Sequence, residues 1–277
     1  MYVYFQAKNG FNDILSRCFI ILKYCEQNNR ILLLDTVNSQ YNINFSDYFI
    51  FSHPKVICDY NKIKDILKDN EDSVYPNILQ NKLSDVKQFV SKIIQKREIF
   101  FYQNTKLNLP PNGLNEKIVV YCDSGNGDGF KVFNNYIVPK PHVVEYCMNN
   151  YNKLSKPYLA IQVRNTDRQC DYENLYEDNR DTIHSFDTIY IATDDKKCIG
   201  FFKNKGLNAY NFINFPEGDN YLNIHYAKCK NHVEDMISDL FIITMSKLLL
   251  SNSKGGYINL VRNCWHRSKH IRRKFGL

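Results

Sequence analysis

The run Ile31-Leu32-Leu33-Leu34-Asp35 constrains this chain more than any other feature. Four apolar residues closed by a carboxylate are too few for a helix, and far short of the ~20 that cross a bilayer. A continuous apolar run of this length is a strand covered on both faces, as in a parallel sheet wrapped by helices. Its surroundings agree. Val3 to Ala7 opens with aromatic and β-branched residues and reads as a strand. Lys8-Asn9-Gly10-Phe11-Asn12-Asp13 follows as a tight loop. Ile14 to Asn28 then carries apolar residues at 14, 15, 18, 19, 22 and 25, which is helical spacing. Asn12 or Asp13 can cap that helix. Strand, loop, helix, strand is the opening of a parallel α/β sheet.

The middle of the chain is less regular. Ser84 to Lys96 reads as helical, Pro110-Pro111-Asn112-Gly113 as a turn, and Lys117 to Cys122 as a strand. Gly125-Asn126-Gly127-Asp128-Gly129 suggests a phosphate loop. Its spacing is not Gly-x-Gly-x-x-Gly and no strong helix pattern follows, so it reads as a flexible turn. Pro139 and Pro141 punctuate the chain before a helix from His142 to about Leu154, which ends ahead of Pro157.

A second alternation then begins. Strands are expected at Tyr158 to Val163, Thr188 to Ala192 and Lys247 to Leu250, and helices near Lys196 to Lys205, Val233 to Ser246 and Gly256 to Cys264. No repeat of fixed period is visible. The expectation is α/β: two Rossmann-like domains with parallel sheets facing a central cleft, residues 1–145 and 146–277. With no strand followed by Gly-x-Gly-x-x-Gly, an NAD-dependent oxidoreductase is disfavoured.

Composition narrows the classes. The 277 residues are 44% apolar and 23% charged, ordinary for a folded globular chain. The first residues, Met1-Tyr2-Val3-Tyr4-Phe5, lack a basic segment and a small-residue cleavage site, so they do not read as a signal peptide. None of the nine cysteines forms a Cys-x-x-Cys pair. Free thiols and a cytoplasmic location follow as expectations. Of the net charge of +7, six positive charges (Arg262, Arg267, Lys269, Arg272, Arg273 and Lys274) lie in the last sixteen residues, leaving +1 for the rest. A nearly neutral body argues against nucleic acid as partner. The basic end is either a solvated helix or a contact for an anionic surface. Twenty tyrosines and eighteen phenylalanines suit stacking on sugars but equally fill cores.

Three segments carry candidate chemistry. Tyr158 to Val163 runs into Arg164-Asn165-Thr166-Asp167-Arg168. An arginine at a strand's carboxyl end can grip a diphosphate through two parallel hydrogen bonds, or simply pair with a carboxylate. Asp167 can brace an arginine or the loop backbone. Ile189-Tyr190-Ile191-Ala192 runs into Thr193-Asp194-Asp195, where a carboxylate can bind a ribose hydroxyl, cap the next helix or ligate a metal. The helix carrying Asp239 leads to a strand ending in Ser251-Asn252-Ser253-Lys254-Gly255, where hydroxyls and helix-start amides make an anion site. Asp239 can accept from a guanine edge, or face solvent.

Together these segments resemble the fucosyltransferase-like superfamily of GT-B glycosyltransferases, which includes α1,2- and α1,6-fucosyltransferases and protein O-fucosyltransferases. The family motif His-Val-Arg-Arg-Thr-Asp-Lys is matched by Gln162-Val163-Arg164-Asn165-Thr166-Asp167-Arg168. The strand ending in Thr-Asp-Asp is matched by Thr193-Asp194-Asp195, and the late Asp-Leu…Ser-Asn-Ser segment by Asp239-Leu240 and Ser251-Asn252-Ser253. Gly10-Phe11-Asn12-Asp13 looks like the family's glycine-asparagine loop. The resemblance spans most of the second half and the opening strand-helix-strand. Its leading His is Gln162 here and its second Arg is Asn165.

The resemblance implies a metal-independent glycosyltransferase with no cofactor, moving a sugar from a nucleotide-sugar donor to a glycan or glycoconjugate hydroxyl. GDP-fucose is favoured because Asp239 sits where the family's guanine-reading acid would be. The implied catalytic residues are Arg164, which grips the β-phosphate, and Asp13 as acceptor base. The implied donor-binding residues are Gly10, Asn12, Arg164, Thr193, Asp194, Asp239, Ser251, Asn252, Ser253, Lys254 and Gly255. The departures at Gln162 and Asn165 keep alternatives open: UDP-xylose or another nucleotide sugar, or a non-catalytic nucleotide- or glycan-binding protein on the same fold.

Overall fold

A computed structural model describes all residues except 40–41, 84–88, 95–96, 111–113, 124, 126, 167–168 and 216–230. The chain divides into two compact units, Met1–Val138 and Pro139–Leu277.

The first unit opens with β1 (Tyr2–Gln6), α1 (Phe11–Gln27) and β2 (Ile31–Asp35), followed by α2 (Phe45–Tyr48), β3 (Phe49–Phe51) and β4 (Val56–Ile57). Next come α3 (Tyr60–Lys68), β5 (Val74–Tyr75), a 3-10 turn at Asn77–Leu79, β6 (Val90–Ile94), β7 (Arg97–Tyr102) and β8 (Thr105–Lys106). The unit closes with β9 (Ile118–Tyr121), α4 (Gly129–Tyr136) and β10 (Ile137–Pro139), whose last residue crosses into the second unit. Five strands form one parallel sheet in the order β4-β2-β1-β9-β5. Val3 stands beside Leu32 on one side and Val119 on the other, all three fully buried. That double coverage is why these strands are apolar without alternation.

Two expectations for this unit are corrected. Val90–Ile94, inside the expected Ser84–Lys96 helix, is strand β6, antiparallel to β7. Its side chains are exposed, so their helix-like spacing faces no core. Residues 84–88 and 95–96 of that segment lie outside the described residues, as do residues 111–113 of the expected turn. The glycine-rich segment leads directly into helix α4, capped by Asp128, whose carboxylate accepts from the Lys131 amide at 2.9 Å. Eight residues are too short for periodicity to show, so the helix was hidden.

The glycines there are spacers. A Cβ on Gly127 would lie 2.1 Å from the Ser16 carbonyl oxygen, and one on Gly129 would lie 2.6 Å from Asn12 Oδ1 and 2.9 Å from its carbonyl oxygen. Only glycine lets this loop and α4 seat on the first turns of α1. Behind them Phe11, Phe45, Phe49 and Phe133 pack together, Phe45 and Phe49 with centroids 4.5 Å apart.

The second unit runs α5 (Pro141–Tyr151), β11 (Leu159–Val163), α6 (Tyr172–Asp178), α7 (Arg180–His184), β12 (Ile189–Thr193) and α8 (Lys196–Asn204). It continues with β13 (Ala209–Tyr210), α9 (His232–Met245), β14 (Leu248–Leu250), α10 (Gly256–His266) and α11 (Ser268–Lys274). The sheet order is β13-β12-β11-β14, again parallel. The whole of α5 belongs here: Tyr146 donates to Asp235 of α9 and Asn150 to Ser238. The compact unit thus takes in α5 from its first residue and begins at Pro139.

Among the described residues, no helix is long and apolar enough to cross a membrane. The eight described cysteines are free thiols. Burial pushes the Cys25 and Cys198 thiols up to about 12. The basic end is not a freely solvated helix, since Ile271 and Phe275 are buried, the latter ring 4.3 Å from Phe241 of α9.

Candidate functional site

In an open parallel sheet, ligands bind outside the carboxyl ends of the strands, where the strand order reverses. In the second unit the chain builds outward from β11 to β12 and β13, then returns to place β14 on the other side of β11. The reversal falls between β11 and β14. The segments leaving those strands are Arg164-Asn165-Thr166 and Ser251 to Gly255, so two segments read from sequence meet at the switch point.

Hydrogen bonds knit the strand ends together. The Arg164 amide donates to Ser253 Oγ at 3.0 Å, and Ser251 Oγ donates to Gln162 Oε1 at 2.8 Å. Ser253 is 2% exposed, so it holds the Arg164 backbone rather than offering a hydroxyl to solvent. Cys170 donates its thiol to the same Ser253 oxygen at 3.2 Å and its amide to Asn165 Oδ1 at 3.2 Å. Asn252 Nδ2 reaches the Asp171 carbonyl at 2.6 Å, while Lys254 is exposed. Asp167 and Arg168 lie outside the described residues.

The third segment fixes the loop after β11. Asp194 accepts from the Asn165 amide and the Thr166 hydroxyl, both at 2.7 Å. Burial pushes the Asp194 carboxyl above its ordinary range, opposed by those two hydrogen bonds and by the Arg164 guanidinium. Asp195 accepts from Asn165 Nδ2 at 2.7 Å and caps α8 through the Lys197 amide at 2.8 Å. Thr193 is 4% exposed and its hydroxyl accepts from the Asp195 amide. The asparagine at position 165 thus spends its side chain on the neighbouring strand end, and among the described residues Arg164 supplies the guanidinium of this loop.

Helix α10 begins at the same place. Its N-cap, Gly255, has φ +141° and ψ −179°, a conformation that is essentially glycine's alone. Arg262 of α10 donates to the Ser251 carbonyl at 2.9 Å and ties the helix to the end of β14. First-turn amides of a helix have no partner within it, and the helix dipole favours an anion there.

Asp239 does not face solvent: it is 6% exposed, and Oδ1 accepts from the Tyr190 hydroxyl of β12. Burial pushes its carboxyl well above the ordinary range. One turn earlier, Asp235 accepts from the Tyr146 hydroxyl at 2.5 Å and is likewise raised by burial. The pattern of this helix offered no way to tell an inward carboxylate from an outward one. That burial removes the solvent-facing alternative.

In the first unit the reversal lies between β1 and β9. Gly10 to Asp13 leave β1 there. Gly10, not Asn12 or Asp13, is the N-cap of α1, and it makes no side-chain cap bond. Asn12 and Asp13 lie inside the first turn, where a carboxylate suits the helix dipole. Asn12 Nδ2 contacts Ser16 Oγ at 3.4 Å. A Cβ on Gly125 would lie 3.8 Å from Asp13 Oδ1, so the segment after β9 passes beside that carboxylate.

Sequence reading missed a half-buried ion pair at this end. Arg17 is bonded to Asp123 Oδ2 at 2.9 Å and to the Tyr121 hydroxyl at 3.1 Å, while that hydroxyl donates to Asp123 at 3.0 Å. The signal was an apolar strand running into Tyr121-Cys122-Asp123, the same pattern that marked Asp35. Among the described residues, no group of three or more His, Cys, Asp or Glu side chains could hold a metal ion.

No protein-family model matches the chain, and no curated protein matches it in sequence. Solved structures do match in fold. Fucosyltransferase NodZ from Bradyrhizobium matches with a TM-score of 0.59 at 12% identity, over 94% of this chain and 92% of that one. The NodZ α-1,6-fucosyltransferase co-crystallised with GDP gives 0.60 at 12% identity, over 94% and 91%. POFUT1 in complex with GDP-fucose gives 0.52 at 11%, over 95% and 94%. FUT1 of Arabidopsis thaliana with GDP gives 0.51 at 10%, over 95% of this chain and 68% of that one. The chain has the fold of these fucosyltransferases, the fucosyltransferase-like GT-B fold.

Proposed function

We propose that this chain, built on the fucosyltransferase-like GT-B fold, is a glycosyltransferase that moves a sugar from a nucleotide-sugar donor to a hydroxyl of a glycan or glycoconjugate. The observation that carries the reading is Arg164, at the strand reversal of the second sheet, next to the segment that starts α10. GDP-fucose is the favoured donor, supported by the GDP and GDP-fucose that the fold neighbours bind.

In this reading the donor diphosphate lies against the Arg164 guanidinium and the first-turn amides of α10, with Lys254 close in sequence as a second cation. Asn12 and Gly10, Thr193 and Asp194, and Ser251 to Ser253 shape the two strand ends rather than all touching the ligand. The acceptor oxygen attacks the anomeric carbon, and the bond from that carbon to the β-phosphate oxygen breaks. The nucleoside diphosphate leaves with the electron pair, and fixed positive charge stabilises it as it departs. That charge stands in for a divalent cation, so transfer is metal-independent. The proposed base for the acceptor proton is Asp13 of the first unit.

One observation favours a second reading, a nucleotide-binding protein without transfer activity. Asn165 is committed to Asp195 and Gln162 to Ser251, so neither side chain is presented as a cation toward a ligand. Thermal-shift screening against GDP, UDP, ADP and CDP with their sugars, followed by a transfer assay with the best donor, separates the readings. A ligand at ~100 times its Kd stabilises by ~2.7 kcal/mol. Stabilisation by GDP and sugar release to an acceptor support the transferase. Stabilisation without turnover supports the binding protein, and no shift with any nucleotide removes both.

A further inference from the structure

We infer that the outer face of α11, with the turn leading into it, is a docking surface for an anionic phospholipid bilayer. Arg267, Lys269, His270, Arg272 and Arg273 are all exposed there. No Asp or Glu follows Asp239 in the sequence, so none of these cations has a carboxylate neighbour on its own or the preceding helix. Arg267 also donates to the neutral side chain of Asn263.

The face is displayed on a firm base. Ile271 is buried and Phe275 packs on Phe241 of α9, which anchors a helix of only seven residues to the core of the second unit. With its apolar side chains used in that packing, α11 meets a partner through charge and not by inserting an apolar stripe.

Helix electrostatics accounts for only part of the charge. Arg272, Arg273 and Lys274 lie in the last turn, where the helix dipole favours cations. Arg267 is the N-cap and Lys269 lies in the first turn, where the dipole opposes them. The helix dipole does not favour those two, and a partner of negative charge suits all of them. A bilayer carrying acidic headgroups presents charge over a plane and can meet several exposed cations at once. A nucleic acid is tracked along a basic groove or stripe, and a body of +1 offers none.

The inference is independent of the transferase reading and is tested without it. The full chain is sedimented with vesicles of phosphatidylcholine alone and with vesicles containing about a third phosphatidylserine, at about 0.1 M salt. Retention is expected on the acidic vesicles only, and it should fall as salt rises. The exposed triple variant Lys269→Gln, Arg272→Gln, Arg273→Gln should lose about a hundredfold in partitioning with an unchanged unfolding midpoint. Should the triple variant melt early, Lys269→Gln and Arg272→Gln singly carry the test, each losing about fivefold. Equal binding to both vesicle types, or variants that bind like the parent, would overturn the proposal. So would retention of a single-stranded RNA with no retention on acidic vesicles.

Discussion

The backbone N–H of Arg164 donates to the side-chain hydroxyl of Ser253 across 3.0 Å, joining residues 89 positions apart at the ends of two adjacent strands. The bond fixes where the arginine leaves the sheet, and the serine is too buried to do much else. Ser253→Ala should leave that amide short of an acceptor, at a cost of about 1–3 kcal/mol in stability. Under the proposed function it should also weaken GDP about tenfold, because the guanidinium loses its fixed origin. Calorimetric titration beside a denaturant melt reads both. Wild-type affinity in a destabilised protein would show that Ser253 serves the fold alone.

Arg164→Ala should reduce transfer ~100- to 1,000-fold, as loss of a single charge-stabilising donor does elsewhere, while the unfolding midpoint holds. Arg164→Lys should recover part of it, since lysine keeps the charge and loses the bidentate fork. Initial rates with saturating donor, with and without EDTA, provide the measurement. Chelation should change neither protein, and a collapse of wild-type activity in EDTA would overturn the metal-independent mechanism.

Asp239 gives a pH prediction with a definite sign. Burial pushes its folded-state value well above that of an exposed carboxyl. Above about pH 4 the unfolded chain releases a proton that the folded chain still holds. Stability therefore declines as pH climbs from there toward the folded value, and is flat beyond it. Asp239→Asn removes the ionisation and keeps an oxygen for the Tyr190 hydroxyl. It should melt a few degrees higher than the parent near pH 8, with the gain shrinking toward pH 4. A variant that melts lower at both pH values contradicts the burial argument.

Two glycines should respond in opposite directions to the same substitution. Gly127→Ala drives a methyl to 2.1 Å from the Ser16 carbonyl oxygen, and backbone cannot swing aside. Destabilisation of at least 1–3 kcal/mol is expected, on the order of other overpacked sites. Gly200, inside α8, has nothing within 4 Å of an added Cβ, so Gly200→Ala should stabilise by roughly 0.5–1 kcal/mol. Denaturant melts of the two variants side by side check the contrast.

The legible parts of the fold were those with the least ambiguity of period. Ile31–Asp35, Leu159–Val163 and Ile189–Thr193 are covered on both faces, so continuous apolar runs marked them. Val56–Ile57, Val74–Tyr75 and Ala209–Tyr210 are two residues each and carry no pattern at all. Helical spacing misled at Val90–Ile94 because those side chains face no core and so owe nothing to period.

The candidate site divides in the same way. Arg164 and Ser251 to Gly255 were legible because strand ends concentrate polar residues. The Arg17–Asp123 pair was not, since its partners lie 106 residues apart and only tertiary packing joins them. The inward turn of Asp239 was not legible either, because the phenol that meets it lies on another element.

Each sheet reverses its strand order once, and the polar side chains gather on the short connections beside that reversal. Such connections can be rewritten without disturbing the register of any strand. Asn165 is an instance: its side chain is satisfied locally, against Asp195, while the ladder from Leu159 to Val163 stays intact. Ligand preference can therefore drift in descendants of this scaffold long before the scaffold itself must change.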